Sequence, residues 1–485
     1  MEKEIKKTQK VQSSSNKNEQ NKHLSIMVLP FSLKKKSIES DAFKFDSEID
    51  SCNEQELQEF RKLLEKIEPN ESKFIDTTKH HSFAANHISL INQKSPSFLK
   101  VVTINQNHYH RLNETFNFNA DVSEISFCNN DNTVSDYKIE FNNSTRIILN
   151  DFAKVGYFVF ELKITSPIEK SLSDLSKIEF FRYFTDDNCK QNKSKLSVKR
   201  KRSENEHFFL SIQNLLEIYF KELLPFMKFQ YKKPVCLHVF GKEFKYKEDS
   251  TALNTSMYKL LRIPPSAESN EIDTPQFLET SNEIIFYGAL LEGAVVIDKL
   301  EQQSNLFNKY FPSFIFSLNQ REVMIQLNKH ISNINSKDII LELNKHSSST
   351  KNNYVFDELK ELRNKATIFQ LKQMFYSISF YDEINQFYQK LLGTFNVELL
   401  VKDNKDCISE IHSLIESKRE KDKDEEEKVK NNKLETILFI LTIAQVWLGV
   451  FSSPENLFWK FVYYLGVVIL LLMIVFNYFN KKSKK

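Results

Sequence analysis

Hydrophobic and polar positions follow two rhythms along the chain. Between residues 97 and 164, short runs such as FLKVVTI, YKIEF, TRIIL and YFVFELKI are separated by Asn, Asp and Ser, which reads as strands joined by turns. The run from His23 to Leu33, HLSIMVLPFSL, predicts a further strand interrupted at Pro30. Helical spacing takes over elsewhere. Leu57, Phe60, Leu63 and Leu64 share one side of a helix over Glu54 to Ile67. Ile212, Leu215, Leu216, Tyr219, Phe220, Leu223 and Leu224 repeat at i, i+3, i+4, i+7. Pro234–Phe240 and Ile284–Ile297 add strand or helix candidates, so an α/β domain is expected over residues 23–300.

From about residue 305 the helical rhythm dominates. Ser313–Ile334 and Phe356–Leu392 predict helices, with Leu359, Leu362, Ala366 and Phe369, then Phe380, Ile384, Phe387 and Leu391, as bundle seams. Ile408, Ile411 and Ile415 resume the pattern. Lys418 to Lys433 then holds seven basic and six acidic residues, a solvated helix face with pairs such as Glu426–Lys430. An all-α stalk over 305–433 follows, its last helix starting near 405.

The C-terminal fifty residues are apolar. Thr436 to Phe451 is 16 residues without a charge, and Phe461 to Phe479 is 19. A membrane-spanning helix needs roughly 20 apolar residues, so two transmembrane helices are expected at 434–451 and 459–479, within 434–480. Pro454 breaks the turn between them, and Trp447 and Trp459 sit in the same region. Lysines 428, 430 and 433 before the pair and 481, 482, 484 and 485 after it put both termini on the cytoplasmic side. Residues 481–485 form a basic end. Residues 1–22 are polar and lysine-rich, with no apolar run of a signal peptide, and are expected to be a disordered tail.

One face of the first apolar segment gathers polar side chains with Leu438 and Gly449: Glu435, Leu438, Thr442, Gln445, Gly449 and Ser452 stand 3, 4, 3, 4 and 3 apart. Such a face either bonds a neighbouring helix or lines a pore in a ring of subunits. Both readings stand on the spacing alone.

Composition narrows the chemistry. The 485 residues hold 67 Lys+Arg against 64 Asp+Glu, a formal charge of +3, without the basic field of a dedicated nucleic-acid binder. Only 7 glycines occur, none clustered, which excludes a P-loop, a dinucleotide fingerprint and a kinase phosphate loop. There is no G-x-S-x-G elbow. The 5 cysteines form no C-x-x-C pair, which fits reduced, inert thiols rather than a zinc or disulfide framework. No catalytic constellation appears, so a non-enzyme is expected.

A long helix entering an apolar segment, a turn with Pro-Glu-x-Leu, a second apolar segment and a lysine-rich end together resemble the CorA family of magnesium channels. The resemblance covers residues 355–485 and is strongest in ILTIAQVWLGVFSSPENLFW, Ile440 to Trp459. It implies a homopentamer in a bacterial inner membrane, with the first span lining the pore. The family's Gly-Met-Asn is here Gly449-Val450-Phe451, and a phenylalanine cannot coordinate a hydrated cation. Phe451 would instead make an apolar constriction. The FFRYF segment, Phe180 to Phe184, and YGALLEG, Tyr287 to Gly293, resemble the CorA-like effectors of type III CRISPR systems. That resemblance implies a channel or membrane-disrupting effector opened by a nucleotide second messenger, an S-adenosylmethionine–AMP conjugate or a cyclic oligoadenylate, in antiviral defence. The messenger is then the activating ligand, with no other cofactor. The expected partners are the lipid bilayer, further copies of the chain and this nucleotide, with no direct DNA or RNA binding. The alternatives are a constitutive divalent-cation transporter and a membrane-anchored scaffold without a pore.

Three ligand-site candidates follow. Arg182, within the aromatic run, could meet a phosphate while neighbouring rings stack on a base, or could be an edge-strand arginine reaching water. Asp249 could accept from a ribose or amine, or cap the helix after it. Glu292 could contact ligand or belong to a turn. Lys199-Arg200-Lys201-Arg202 is a basic run best read as a solvated loop, and His108-Tyr109-His110 lacks partners for a metal.

Overall fold

The computed structural model describes residues 20–36, 53–67, 100–103, 122–128, 134–141, 146–150, 153–167, 196–200, 203–231, 233–246, 249–261, 277–281, 284–334, 354–451 and 461–467, together with Ala42 and Leu175. Among the described residues, one mixed sheet of 13 strands is formed. The strands are β1 (Gln20–Leu33), β2 (Lys100–Thr103), β3 (Val122–Cys128), β4 (Val134–Phe141), β5 (Arg146–Asn150), β6 (Val155–Pro167), β7 (Leu196–Arg200), β8 (Ser203–Leu210), β9 (Met227–Phe229), β10 (Val235–Phe240), β11 (Glu279–Thr280), β12 (Ile285–Leu290) and β13 (Gly293–Asp298). The helices are α1 (Glu54–Ile67), α2 (Ile212–Phe220), α3 (Ser250–Leu261), α4 (Gln303–Asn333), α5 (Tyr354–Gln373), α6 (Asp382–Thr394) and α7 (Val397–Phe451).

The main path through the sheet runs β11-β12-β13-β10-β1-β6-β4-β3-β7-β8. Only β10 and β13 pair in parallel; the other neighbours are antiparallel. β1 is central and long, pairing with β6 from Gln20 opposite Pro167 to Ser32 opposite Val155. Pro30 stays in the strand because it falls between the β10 pairing, which ends at Val28, and the β9 pairing, which begins at Phe31, and its carbonyl accepts from Gln230 N–H at 3.1 Å. β1 alternates between two buried faces, as successive strand side chains must. Met27, Leu29, Phe31 and Leu33 enter one core with α1, α2 and α3, while Leu24, Ile26 and Val28 enter another with α4 and α6. The sheet is thus covered by helices on both faces.

Two glycines are dictated by contact. A Cβ at Gly156 would lie 2.1 Å from the Phe31 ring. Gly293 has φ +152° and lies so close to β10 that a Cβ would stand 2.0 Å from the Cys236 carbonyl oxygen. Asn396, at φ 54°, ends α6 in the left-handed conformation, and its carbonyl accepts from Leu400 N–H at 3.0 Å to start α7.

The chain forms two compact units, residues 1–333 with 361–409, and residues 334–360 with 410–485. In the first, α4 and α6 belong to the sheet's core. In the second, α7 carries the charged stretch, with a Lys418–Asp422 pair at 3.3 Å, and then the exposed apolar residues Leu434, Ile437, Leu438, Phe439, Ile440 and Leu441.

The architecture corrects the expectation of an α/β domain, an all-α stalk and a transmembrane hairpin of CorA type. Among the described residues, no helix is long and apolar enough to cross a membrane. That finding overturns the hairpin, the ion-channel architecture and the inner-membrane placement. The physical reason lies in the length of the apolar part of α7, which runs without a charge only from Thr436 to Phe451, 16 residues against the roughly 20 a bilayer demands. Of the second apolar segment, residues 461–467 are helical; the rest, and the turn with Pro454 and Trp459, lie outside the described residues.

Candidate functional site

α4 explains why the first unit has a polar interior. A helix buried on every side has no solvated face on which to place polar residues. From Ser313 to Met324 nearly every residue of α4 is buried, including Ser313, Ser317, Asn319, Gln320 and Glu322. Phe307, Phe311, Phe314, Ile315 and Leu318 make the apolar stripe, and Glu322 falls one turn beyond Leu318 on that stripe.

The polar groups meet the sheet in two steps. Asn319 Oδ1 accepts from the Asn150 amide at 3.0 Å and from the Tyr157 hydroxyl at 3.3 Å. Glu322 Oε1 accepts from the Tyr231 hydroxyl at 2.8 Å, just after β9. Arg321 Nε stands 3.8 Å from the same carboxyl oxygen. The Arg321 guanidinium lies 5.5 Å from the ring centroids of both Tyr231 and Phe395, within cation–π range. Arg321 and Tyr231 are half-buried, and Glu322 beneath them is fully so.

Glu322 Oε2 has no hydrogen-bond partner, and neither has Gln326 Nε2 one turn further along α4. An unsatisfied buried polar group costs about 1–3 kcal/mol, which a stability-driven core would avoid. Burial pushes the Glu322 carboxyl up to about 7, against the opposing pull of Arg321, the Tyr231 hydroxyl and Lys329. A carboxyl poised there can hold or release a proton near neutrality. Burial, with the nearby Glu322 carboxyl, pushes the Tyr157 and Tyr231 hydroxyls up, so both remain donors.

Two other buried polar groups are built differently. Asp298, at the end of β13, accepts from Leu300 N–H at 3.0 Å, Glu301 N–H at 3.1 Å, Lys309 Nζ at 2.8 Å and the Tyr310 hydroxyl at 2.6 Å. Burial raises its carboxyl, but the bonds from Lys309 and Tyr310 outweigh that and hold it below the usual value. It clamps β13 to α4. On the opposite face of the sheet, His238 Nδ1 meets Ser25 Oγ at 2.7 Å, and His23 stacks on Phe240 at 4.9 Å. Burial drives both imidazoles down to about 3, so they are neutral. With no solvent path to Ser25, the pair is packing, not a nucleophile and base.

The residues expected from sequence stand apart from this cluster. Arg182 lies outside the described residues. Asp249 accepts from Ala252 N–H at 2.7 Å, capping α3. Glu292 is in the β12–β13 turn, where its carbonyl accepts from Cys236 N–H at 3.0 Å. Glu435, Leu438, Thr442 and Gln445 share one exposed face of α7, and Thr442 Oγ1 donates back to the Leu438 carbonyl at 2.8 Å. Gly449 and Phe451 continue the same helix. Lys199 and Arg200 end β7 instead of forming a loop; Lys201 and Arg202 lie outside the described residues.

Sequence reading missed the α4 cluster because Asn319, Gln320 and Glu322 look like solvated helix positions. The available signal was Glu322 falling in register with the apolar stripe. Among the described residues, no group of three or more His, Cys, Asp or Glu is placed to hold a metal ion. No family model, no curated protein and no solved structure matches this chain.

Proposed function

We propose that the chain is a ligand-responsive effector, in which a small nucleotide messenger binds at the Tyr231–Arg321–Glu322 cluster and α4 carries the response to α7. The observation that supports this reading is the wholly buried Glu322, with one carboxyl oxygen unpartnered beneath a half-buried arginine and tyrosine. Arg321 between two rings supplies the charge and stacking chemistry that phosphates and bases use. Further along α4, Asn328 Oδ1 accepts from the buried Asn404 amide of α7 at 2.9 Å, and Asn404 Oδ1 accepts from Gln370 of α5 at 3.2 Å. A shift of α4 would therefore have to move or break a buried polar tie to α7. Ligand drives such a change only by binding one arrangement better than the other.

The test is calorimetry and thermal melting of the full chain with cyclic oligoadenylates and the S-adenosylmethionine–AMP conjugate. Saturable binding is expected, with stabilisation of about 2.7 kcal/mol at a hundredfold excess over Kd. Arg321→Ala should weaken it at least tenfold. A folded chain that gives neither heat nor a melting shift with any of these nucleotides rules the proposal out.

A further inference from the structure

Glu322 and Gln326 both leave polar atoms unpartnered, and the geometry says what those atoms can offer. Because the Tyr231 hydroxyl donates to Oε1, the proton of a neutral Glu322 rests on Oε2, where it is a donor without an acceptor. The Gln326 Nε2 amide, one turn on, is a second donor without an acceptor, in a side chain only 7% exposed. Two buried donors stacked on one helix face call for a ligand that brings acceptors. Resting on the site assignment above, we propose that protonated Glu322 and Gln326 together read the acceptor edge of a nucleobase, its ring nitrogens or carbonyl oxygen. Binding then takes up one proton from solvent onto Glu322 Oε2.

The surroundings favour this protonation state. Tyr157 and Tyr231 face Glu322 from the sheet side, and Arg321 and Lys329 act on it from its own helix. Against the two cations, burial keeps the free carboxyl titrating near neutrality. An acceptor on Oε2 raises it further, because a hydrogen bond made by the neutral acid disfavours its ionisation. Arg321 stands beside the carboxyl, 3.8 Å from Oε1, 3.5 Å from the Leu291 carbonyl oxygen and between the Tyr231 and Phe395 rings, so a base that reaches Oε2 must displace these contacts.

The experiment is calorimetry of the full chain with adenosine 5′-monophosphate and the S-adenosylmethionine–AMP conjugate, at pH 6 to 9, in buffers of differing ionisation enthalpy. Wild type should take up close to one proton at pH 8, and Kd should weaken about tenfold per pH unit above about 7. Glu322→Gln keeps an N–H donor that cannot titrate, so it should bind without proton uptake and with a flat pH profile. Tyr231→Phe removes a bond that lowers the Glu322 carboxyl and should move the midpoint to higher pH. Binding by wild type with no proton uptake, or uptake unchanged in Glu322→Gln, overturns this inference and leaves the ligand-responsive reading intact. Absence of binding by a folded chain at every pH, with cyclic oligoadenylates tested alongside, removes both.

Discussion

The two faces of β1 solve the same problem in opposite ways. On the Phe31 side the core is apolar and rich in aromatic rings, and its two imidazoles, His23 and His238, are neutral. On the α4 side the core holds a hydrogen-bonded polar cluster that ends in an acid with an unpartnered oxygen. Neutral imidazole costs little to bury at pH 7, because it gives up no charge there. A carboxyl buried beside an arginine is expensive in either state. Both faces hold buried polar atoms without a partner, the His23 ring nitrogens on the first and Glu322 Oε2 on the second, but only the second sets one on a carboxyl beside a half-buried arginine and tyrosine, where a charged or base-like ligand could act.

The largest expected effect is on the aromatic face. Phe31 is fully buried, 5.5 Å from the Phe158 ring and 6.1 Å from the Phe229 ring, directly beneath Gly156. Phe31→Ala should cost roughly 3–5 kcal/mol in denaturant melts. A loss under about 1 kcal/mol would mean this face is loosely packed and would erase the contrast.

The pH dependence of stability should separate the faces by sign. Each histidine titrates near 6.5 when unfolded and near 3 when folded, so the unfolded state binds protons first as pH falls. Stability is therefore whole above about 6.5 and is lost on acidification toward about 3, by about 1.4 kcal/mol per pH unit for each imidazole. Glu322 moves the other way. It titrates near 4.5 unfolded and near 7 folded, so its penalty is absent below about 4.5 and grows as pH rises to about 7. His23→Phe should flatten the acid limb, measured as melting temperature against pH. Glu322→Gln should stabilise the free protein by about 1–3 kcal/mol at pH 8 and leave it unchanged at pH 4. Melting curves in which both variants shift the same limb would show that the two faces are not electrostatically distinct.

The smallest effect sharpens the contrast between a cap and a site. Asp249→Ala should cost about 1 kcal/mol through the lost bond to Ala252 N–H, with nucleotide binding unchanged. A change in Kd without loss of stability would return Asp249 to the ligand site.

Much of the secondary structure was legible along the chain. His23–Leu33 lies within β1, the Leu57–Leu64 stripe lies in α1, and the 3–4 spacing of Ile212 to Phe220 forms α2. Those patterns survive because alternation and helical spacing are local consequences of having one buried face. The site was not legible. Glu322, Tyr231 and Arg321 meet across 90 positions of sequence difference between Tyr231 and Arg321, and polar letters in a helix do not announce that every side of it is buried. The C-terminal apolar segments misled for the converse reason. Hydropathy counts apolar letters, whereas a span also needs about 20 of them in one helix, and the uncharged end of α7, Thr436 to Phe451, holds 16.

Sequence by itself determined where the chain is strand-like, where it is helical, and that clustered glycines for phosphate loops are missing. Those properties depend on near neighbours, whose spacing decides which side chains share a face. Only the tertiary structure decided that β1 is central, that α4 is buried all round, and that Glu322 ends beneath Arg321 with one oxygen unpartnered. A carboxyl's chemistry depends on what surrounds it in space, and burial, unlike periodicity, is a property of the whole fold.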